Sequence, residues 1–592
     1  MAAPIEDYAI LSDCHTAALV SREGSIDWLC LPRYDSPSTF GALLGTEDHG
    51  RWMLRPTDPH AQTSRRYDGD GFVLLTRWET AAGVAEVADV MPYGDRRPDV
   101  IRRIRGLEGT VEFTQELRVR FDYARSMPWM RQAGTDAAPA LVATAGPDAL
   151  VLRGAALRAT DHAHTGTVTV SAGEIADLTL TWFPSHRLIP DPVDVDAAFE
   201  TTAAWWRQWA DGIEHDGPHH EAVVRSLLVL RALTHEDTGG IVAAATTSLP
   251  EDFGGSRNWD YRYVWLRDAS LTLEALISHG FTEEAVQWRR WLVRAIAGSP
   301  ADVQIMYGIA GERRLTEREL DNFPGYDGAA PVRIGNGAVE QYQADVIGEV
   351  MVALEAARVA GVDEGEYSWP LQRALLGYVE ENIGRADNGI WEIRGEPRMF
   401  THSRVMIWAA FDRGVRAVRE HGMPGELERW EALCDRMRAE IDTNGYDEAR
   451  GHFVQSYGST EVDAALLLLP QVGYCAPDDP RMLGTVAELE RRLMHAGLLH
   501  RYRTASDVDG LPGTEHPFLA CSFWLVEQYA GSGRLADAHE LMDRVCGLAN
   551  DVGLLSEEYD VTLRRHVGNT PQALSHLALV RAADALVARS ER

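Results

Sequence analysis

Residues 165–183, TGTVTVSAGEIADLTLTWF, and residues 196–213, DAAFETTAAWWRQWADGI, lie on either side of a change in periodicity. In the first stretch apolar and polar residues alternate, and Val, Thr and aromatic residues predominate, as in half-buried antiparallel strands. In the second stretch the apolar residues recur at helical spacing. This change predicts a β domain that is followed by a helical domain.

Towards the N-terminus, the alternating pattern recurs in several short runs. It is found in GSIDWLCLP from Gly24, GFVLLTRWET from Gly71 and TVEFTQELRVRF from Thr110. Many short strands with turn residues between them favour an antiparallel sandwich over a βαβ fold. We therefore predict an N-terminal antiparallel β-sandwich over residues 1–195 and a linker helix over residues 196–220.

Towards the C-terminus, almost every periodic segment after Pro218 has helical spacing. Candidate helices begin near residues 221, 268, 283, 342, 369, 403, 424, 462, 480, 516, 535 and 571. Antiparallel hairpins of this number are compatible with a closed double-layered α/α toroid or with an open helical solenoid, and periodicity alone does not distinguish the two. Residues 221–592 are predicted to form this helical domain.

The composition excludes several classes of protein. The 592 residues are too many for one ordinary core and predict about two to four domains. With 57 Lys and Arg residues against 89 Asp and Glu residues, the formal net charge is −32, which disfavours binding to nucleic acid or anionic lipid. No apolar run reaches the length of about 18 residues that a membrane span needs.

Targeting signals and cysteine usage point to a compartment. The first residues, MAAPIEDYAILSDC, have neither the basic region nor the apolar region of a signal peptide. The six cysteines form no CxxC pair, which is typical of reduced thiols. We predict a cytoplasmic protein that binds neither nucleic acid nor a membrane. The sequence does not indicate its oligomeric state.

Aromatic and charged residues concentrate in loops between the predicted helices. The first such loop is RNWDYRYVWLRD, residues 257–268, in which four aromatic rings alternate with Arg and Asp. Flat rings suit the apolar faces of pyranose sugars, and Arg and Asp side chains bind neighbouring hydroxyl groups. The alternative is that Asp268 is a helix N-cap and the tryptophans anchor the core.

Two further loops carry candidate catalytic carboxyl groups. In NGIWEIRG, residues 388–395, Glu392 follows Trp391. A carboxyl group against an indole loses hydration, which raises its pKa and suits a general acid. The stretch GLLSEEYD, residues 553–560, contains two further glutamates. Exposed turns are the alternative for both loops. Two carboxyl groups in an aromatic site are typical of glycosyl chemistry, as one candidate among several.

Other catalytic signals are weak. His215, His219 and His220 are close in sequence, but no cysteine or carboxylate spacing beside them supports a metal site. The chain contains no phosphate-binding loop, dinucleotide-binding motif or nucleophile-elbow motif. No motif therefore indicates a metal or an organic cofactor, and we predict none, while a dependence on phosphate or a divalent cation stays open.

At these three loops the chain resembles glycoside hydrolase family 15, which contains glucoamylases, glucodextranases and bacterial trehalases. The matching stretches are residues 4–40, RFDYARSMPW at 120–129, RNWDYRYVWLRDASLTL at 257–273, PVRIGNGAVEQYQADVIGEV at 331–350, GIWEIRG at 389–395, CSFWLVEQYA at 521–530, GLLSEEYD at 553–560 and GNTPQALSHLAL at 568–579. The resemblance covers most of the chain. It implies an N-terminal β-sandwich and a catalytic (α/α)6 barrel.

The resemblance also implies roles for individual residues. Glu392 matches the general acid of the family and Glu557 matches its general base. The residues implied to bind the substrate are Tyr261, Trp265, Arg267, Asp268, Trp391, Arg501 and Glu558. Among these, Trp265 is expected to form a wall of the glucose pocket, and Tyr261 to lie near the attacking water.

Two positions depart from the family pattern. Glu558 stands where fungal members have Gln, so the choice between Glu557 and Glu558 as the base stays open. His516 and Pro517 stand where a small residue is expected after Glu515, which predicts an unusual loop outside the pocket.

The function implied by the resemblance is inverting, exo-acting hydrolysis of an α-glucoside, with release of β-glucose. Trehalose is the favoured substrate, and α-1,4 or α-1,6 gluco-oligosaccharides are the alternative. A glycoside phosphorylase and a non-catalytic carbohydrate-binding protein are further alternatives. We expect the loop at residues 333–343 to contribute to the choice of the leaving group.

Overall fold

In the part of the chain that the structure describes, the β domain is built from fifteen antiparallel strands. The computed structural model describes residues 2–94, 96–135, 137–504 and 508–590. The strands are β1 (Tyr8–Ser12), β2 (Ala17–Ser21), β3 (Ser25–Cys30), β4 (Ser38–Phe40), β5 (Arg51–Pro56), β6 (Gln62–Tyr67), β7 (Leu74–Glu79), β8 (Gly83–Val90), β9 (Asp99–Arg118), β10 (Trp129–Thr135), β11 (Ala138–Ala145), β12 (Asp148–Arg153), β13 (Arg158–Thr160), β14 (Ala163–Ser171) and β15 (Ile175–Pro184).

The long strand β9 connects two sets of strands. Its first half pairs with β8 and β15, and its second half pairs with β5 and β14. In the second half, Val111, Phe113, Gln115 and Leu117 are buried, while the residues at 112, 114 and 116 are more exposed, as the alternating pattern predicts. The predicted antiparallel β domain is therefore confirmed, with the difference that both sets form one hydrogen-bonded sheet through β9.

Twelve α-helices follow within the described residues. They are α1 (Val195–Ala210), α2 (His220–Ala232), α3 (Leu266–Ser278), α4 (Thr282–Ala295), α5 (Val346–Val359), α6 (Gly365–Glu381), α7 (Thr401–His421), α8 (Leu427–Asn444), α9 (Pro480–Leu493), α10 (Leu519–Gly531), α11 (Leu535–Cys546) and α12 (Ala573–Ser590). In this described part of the chain, no helix is both long enough and apolar enough to cross a membrane.

Helix α1 packs on the β sheet. Asp194 caps its N-terminus by accepting a hydrogen bond from the Ala197 N–H at 3.1 Å. Phe199 packs against an apolar cluster of the sheet, and Trp206 contacts Phe72 edge to face. The large sheet ends at residue 184, and α2 begins at residue 220. We therefore propose the domain division at residues 1–195, 196–220 and 221–592.

The helical domain is a closed double ring. The inner ring consists of α3, α5, α7, a 3₁₀ helix at Ala464–Leu468, α10 and α12, each in contact with the next, and α12 contacts α3. The outer ring consists of α2, α4, α6, α8, α9 and α11. The contact between α12 and α3 closes the ring, which confirms the (α/α)6 barrel and excludes the open solenoid.

The distribution of buried residues along a helix explains whether the helix lies in the inner or the outer ring. On α9 the buried apolar residues Met482, Val486, Leu489 and Leu493 form a single stripe, so this helix faces the core on one side only. Nearly every residue of α10 is buried, as expected for a helix enclosed on all sides. The helix predicted near 462 is only the short 3₁₀ helix, because Pro470 lacks the N–H that would continue it.

Short two-stranded antiparallel sheets stiffen the connections between helices. They are formed by β16 (Thr247–Pro250), β17 (Asn258–Asp260), β18 (Val264–Trp265), β19 (Met306–Tyr307), β20 (Arg318–Glu319), β21 (Arg333–Ile334), β22 (Tyr446–Asp447), β23 (His452–Phe453), β24 (Met494–His495), β25 (Leu498–Leu499), β26 (Glu558–Asp560) and β27 (Arg565–Val567). Several of them lie in the connections that lead from an outer helix to the next inner helix.

Candidate active site

A cavity open to solvent lies where these connections converge, and it encloses about 730 Å³ when the open space at its mouth is included. Its walls come from the segments just before, or in the first turn of, α3, α5, α7, α10 and α12. Eight of the nine residues that the sequence singled out line it, namely Tyr261, Trp265, Arg267, Asp268, Trp391, Glu392, Arg501 and Glu557. The closure of the barrel therefore brings together residues that are up to about 300 positions apart.

Glu392 is held in the cavity wall by a strained loop. Its backbone has a φ of 58°, a left-handed conformation that is costly for a residue with a Cβ. The Gln341 amide secures this conformation by donating to the carbonyl oxygens of Glu392 and Ile393, both at 3.1 Å. The strain is therefore located at a candidate catalytic residue.

The Glu392 carboxyl group is desolvated. The Trp265 indole N–H donates to its Oε1 at 2.5 Å, and Arg267 Nη2 lies 3.6 Å from the same oxygen. Burial is the largest influence and raises the pKa of Glu392 to about 7, with the charge of Asp268 acting in the same direction. Such a carboxyl group keeps its proton close to neutral pH, as a general acid requires.

Glu557 is the second carboxyl group in the cavity. The Tyr261 hydroxyl donates to Glu557 Oε1 at 2.7 Å, and the Asn569 N–H donates to Oε2 at 3.4 Å. Burial raises the pKa of Glu557, and the charge of Glu251 raises it further. A Cβ on Gly568 would lie 2.6 Å from Glu557 Oε2, so only glycine leaves room for this carboxyl group.

Arg267 and Asp268 lie in the first turn of α3. Arg267 donates to the Ile390 carbonyl oxygen at 2.5 Å and to Asp268 Oδ2 at 2.9 Å. The N-cap position of α3 is occupied by Trp265, so the alternative that Asp268 caps this helix is wrong. Trp265 is buried but also lines the cavity, so it is more than a core anchor.

Aromatic side chains set the shape of the pocket. Tyr261 and Trp265 meet edge to face with ring centroids 5.5 Å apart, which places the hydrogen-bond donors to Glu557 and Glu392 side by side. Trp391 stacks on Trp524 at 5.8 Å, and its indole N–H donates to Asp463 at 2.8 Å. The three rings are therefore fixed before any ligand binds.

Arg501 binds carboxylates of the protein itself. Its Nη2 lies 2.7 Å from Glu515, 3.1 Å from Glu251 and 3.2 Å from Glu558. These three glutamates are close enough to one another to hold a metal ion, but the Arg501 guanidinium already supplies a cation there. Arg501 is one of the described residues that line the cavity, whereas Glu558 is not one of them.

Of the histidines noted in the sequence, only His215 belongs to a group with metal-binding geometry among the described residues. That group contains His215, His279 and Asp584, all of which lie outside the cavity wall. The predicted unusual loop at His516 has a local role, because the His516 N–H donates to Glu558 Oε2 at 2.9 Å. With Oε2 held in this way, Glu558 Oε1 lies 3.2 Å from Arg501 Nη2.

Comparisons with known proteins agree with this geometry. The model of glycosyl hydrolases family 15 matches residues 217–538 and 533–584, and that of the trehalase-like N-terminal domain matches residues 1–176. The chain belongs to glycosyl hydrolase family 15. A trehalase from Mycobacterium tuberculosis (strain ATCC 25618 / H37Rv) is 36% identical over 614 residues, which cover 98% of this chain and 89% of that one.

Further relatives of this family 15 chain extend the comparison. A trehalase from Thermoplasma acidophilum (strain ATCC 25905 / DSM 1728 / JCM 9062 / NBRC 15155 / AMRC-C165) is 34% identical over 581 residues, which cover 96% of this chain and 98% of that one. The crystal structure of a bacterial glucoamylase complexed with acarbose shares the fold, with a TM-score of 0.74 and 12% identity over 100% of this chain and 94% of that one.

Several residues of the family 15 site escaped the sequence analysis. Glu251 and Asp463 lie outside every motif, yet both hold pocket side chains in place. The only signal for Glu251 is that it follows the largely apolar run IVAAATTSLP at residues 241–250. At the predicted leaving-group loop, Asn336 lines the cavity, and the Arg333 guanidinium stacks on Trp259 at 4.7 Å.

Proposed function

We propose that this chain hydrolyses the α-glucosidic bond of trehalose with inversion. The observation that carries the proposal is that Glu392 and Glu557 line one cavity, each fixed by a hydrogen bond from an aromatic neighbour. Both relatives described above are named trehalase, and this favours trehalose as the substrate. The α-1,4 and α-1,6 gluco-oligosaccharides remain the alternative. A cytoplasmic location stays a prediction.

In the proposed mechanism the two carboxyl groups act from opposite faces of the sugar. Glu392 donates its proton to the glycosidic oxygen, while Glu557 removes a proton from the water that attacks the anomeric carbon. Inversion needs a separation of about 6.5–9.5 Å between the carboxyl groups, to leave room for that water. Arg267 and Asp268 bind hydroxyl groups of the glucose, so that its anomeric carbon lies between the two glutamates. The mechanism uses no metal or organic cofactor.

The position of Glu558 supports Glu557 as the base. Glu558 is fully buried, accepts a hydrogen bond from the His516 N–H and forms an ion pair with Arg501 at 3.2 Å, whereas Glu557 lines the cavity. A base has to reach the attacking water, and only a carboxyl group that faces the cavity can do so. Since a glycoside phosphorylase would replace this water with phosphate, a cavity-facing base favours hydrolysis.

The pH dependence of kcat/KM should be bell-shaped. On the alkaline side activity falls as Glu392, whose pKa is raised to about 7, loses the proton that it must donate. On the acid side activity falls as Glu557 gains a proton and can no longer accept one. Because the two carboxyl groups share one site, the apparent pKa values of the acid limb and the alkaline limb of the profile belong to the pair and not to either residue alone. Rates measured from about pH 4 to 9 test this expectation, and an activity that rises steadily to pH 9 contradicts it.

The products distinguish the mechanisms and the substrates. Trehalose contains two α-linked glucose units, so inversion should release one as β-glucose and leave the other as α-glucose. Proton NMR in the first minutes should therefore show both anomers in equal amounts, whereas retention gives α-glucose alone. A panel of trehalose, maltose, isomaltose and dextran ranks the substrates. Turnover that requires phosphate would identify a phosphorylase, and the absence of any turnover would leave a binding protein.

A further inference from the structure

A buried cluster of charged groups surrounds the base. Among the described residues, it contains the carboxyl groups of Glu251, Asp509, Glu515, Glu557 and Glu558 and the guanidinium groups of Arg257 and Arg501. Each of these seven side chains belongs to a residue that is buried. Two guanidinium groups cannot neutralise five ionised carboxylates away from water, so some of the carboxyl groups retain a proton.

The ion pairs show which carboxylates balance the arginines. Asp509 lies 2.6 Å from Arg257 Nη2, and Arg501 Nη2 lies 2.7 Å from Glu515 and 3.1 Å from Glu251. Burial is the largest influence on Glu515 and Glu558 and raises the pKa of both. The protons of the cluster are therefore held mainly at Glu515 and Glu558, the two groups whose pKa burial raises.

A chain of hydrogen bonds connects Glu251 to the base. The Trp259 indole N–H donates to Glu251 Oε1 at 3.1 Å, and the Trp259 carbonyl oxygen accepts from the Asn569 side chain at 2.9 Å. The Asn569 backbone N–H in turn donates to Glu557 Oε2 at 3.4 Å. Glu251 is therefore linked to Glu557 indirectly, through Trp259 and Asn569.

We propose that Glu251 is a positioning residue, which holds the surroundings of Glu557 in place and controls at which pH that base becomes ionised. This inference rests on the proposed role of Glu557. The charged or titratable groups that face Glu557 are Glu251, Glu558, Arg501 and Tyr261, and those that face Glu251 are Arg257, Arg501, Glu515 and Glu558.

The sign of the effect follows from Coulomb's law. The negative charge of Glu251 disfavours a second negative charge on Glu557, so it raises the pKa of Glu557. Removal of that charge lets Glu557 ionise at lower pH. The acid limb of the kcat/KM profile, which depends on ionisation of the base within the pair, then moves to lower pH.

The test compares Glu251→Gln with the wild-type protein, using trehalose as the substrate. Glutamine keeps an oxygen that accepts the Trp259 N–H, but it carries no charge. We expect the acid limb to shift downward by about one pH unit. Glu251→Asp keeps the charge and should leave the limb close to its wild-type position, even where its rate is lower.

A matched control is Glu515→Gln. Glu515 binds the same nitrogen of Arg501, at 2.7 Å, but among the described residues its side-chain hydrogen bonds come from Arg257 and Arg501 and not from Trp259 or Asn569. Replacing Glu515 should move the acid limb less than replacing Glu251 does. An unmoved limb in Glu251→Gln, or equal shifts in both variants, overturns the inference. A raised KM with an unmoved limb identifies Glu251 as a direct sugar ligand and also overturns it.

A measurement without turnover separates this inference from the proposed function. The ¹³C carboxyl resonance of Glu557, assigned by its loss in Glu557→Gln, can be followed against pH in the wild-type protein. Interaction with other carboxyl groups should give a broadened titration in more than one step, and a simple one-proton curve contradicts the inference even if Glu251→Gln fails to fold. If the wild-type protein hydrolyses no α-glucoside, the proposed function fails, while this titration still tests the cluster.

Discussion

Glu392→Gln and Glu557→Gln variants each lose at least about 10²-fold in kcat towards trehalose. Each substitution removes one proton-transfer partner and keeps the shape of the side chain. In Glu392→Gln the amide oxygen can still accept the Trp265 N–H, and in Glu557→Gln the bond from Tyr261 can be kept in the same way. Steady-state kinetics with measurement of the thermal midpoint tests whether activity is lost without loss of the fold.

Glu558→Gln is the matched control for the base. It changes the neighbouring residue, whose carboxyl group is bonded to His516 and Arg501 and is not among the described groups that line the cavity. We expect a smaller loss of kcat than in Glu557→Gln. Near-normal rates in Glu557→Gln together with a large loss in Glu558→Gln would move the base assignment by one residue.

Replacing Asp268 by Asn or Ala should lower kcat/KM by about 10- to 100-fold. The reason is that a charge-assisted hydrogen bond contributes about 1.5–3 kcal/mol, and its contribution to sugar binding is greatest in the transition state. Asp268 also orients Arg267, which it contacts at 2.9 Å, so the loss reflects both side chains. Both kcat/KM and the thermal midpoint should be measured for each variant.

Asp194→Ala provides the control for a helix cap. Asp194 caps α1 through the Ala197 N–H, and it lies immediately before that helix, outside the cavity wall. Its loss should cost about 0.5–2 kcal/mol of stability and leave kcat/KM unchanged. If Asp268→Ala behaves in the same way, with lower melting and normal catalysis, Asp268 has no role in binding glucose.

Local patterns in the sequence were sufficient for the elements of the fold. Each of the twelve predicted helix starts has an observed helix within four residues, including the short 3₁₀ helix at Ala464–Leu468. Side-chain periodicity is a property of a few consecutive turns, so it can be read without knowing what the helix packs against. The candidate carboxyl groups were found for a similar reason, because their motifs are short and contiguous.

The closure of the ring could not be predicted from local patterns, because it depends on contacts between residues that are far apart in the sequence. Whether antiparallel hairpins form a toroid or a solenoid depends on the contact between the first and last inner helices, α3 and α12, about 300 residues apart in the chain. That contact places Trp265 and Glu557 on the walls of the same cavity.

The sequence by itself determined the order of the β and helical domains, the positions of the helices and the three loops that carry the chemistry. Only the tertiary structure decided that Glu557 lines the cavity, that Glu558 is bonded to Arg501 and that Glu251 belongs to the site. The physical reason is that neighbouring residues in an extended segment point to opposite sides, and which side faces the cavity depends on how the whole ring closes.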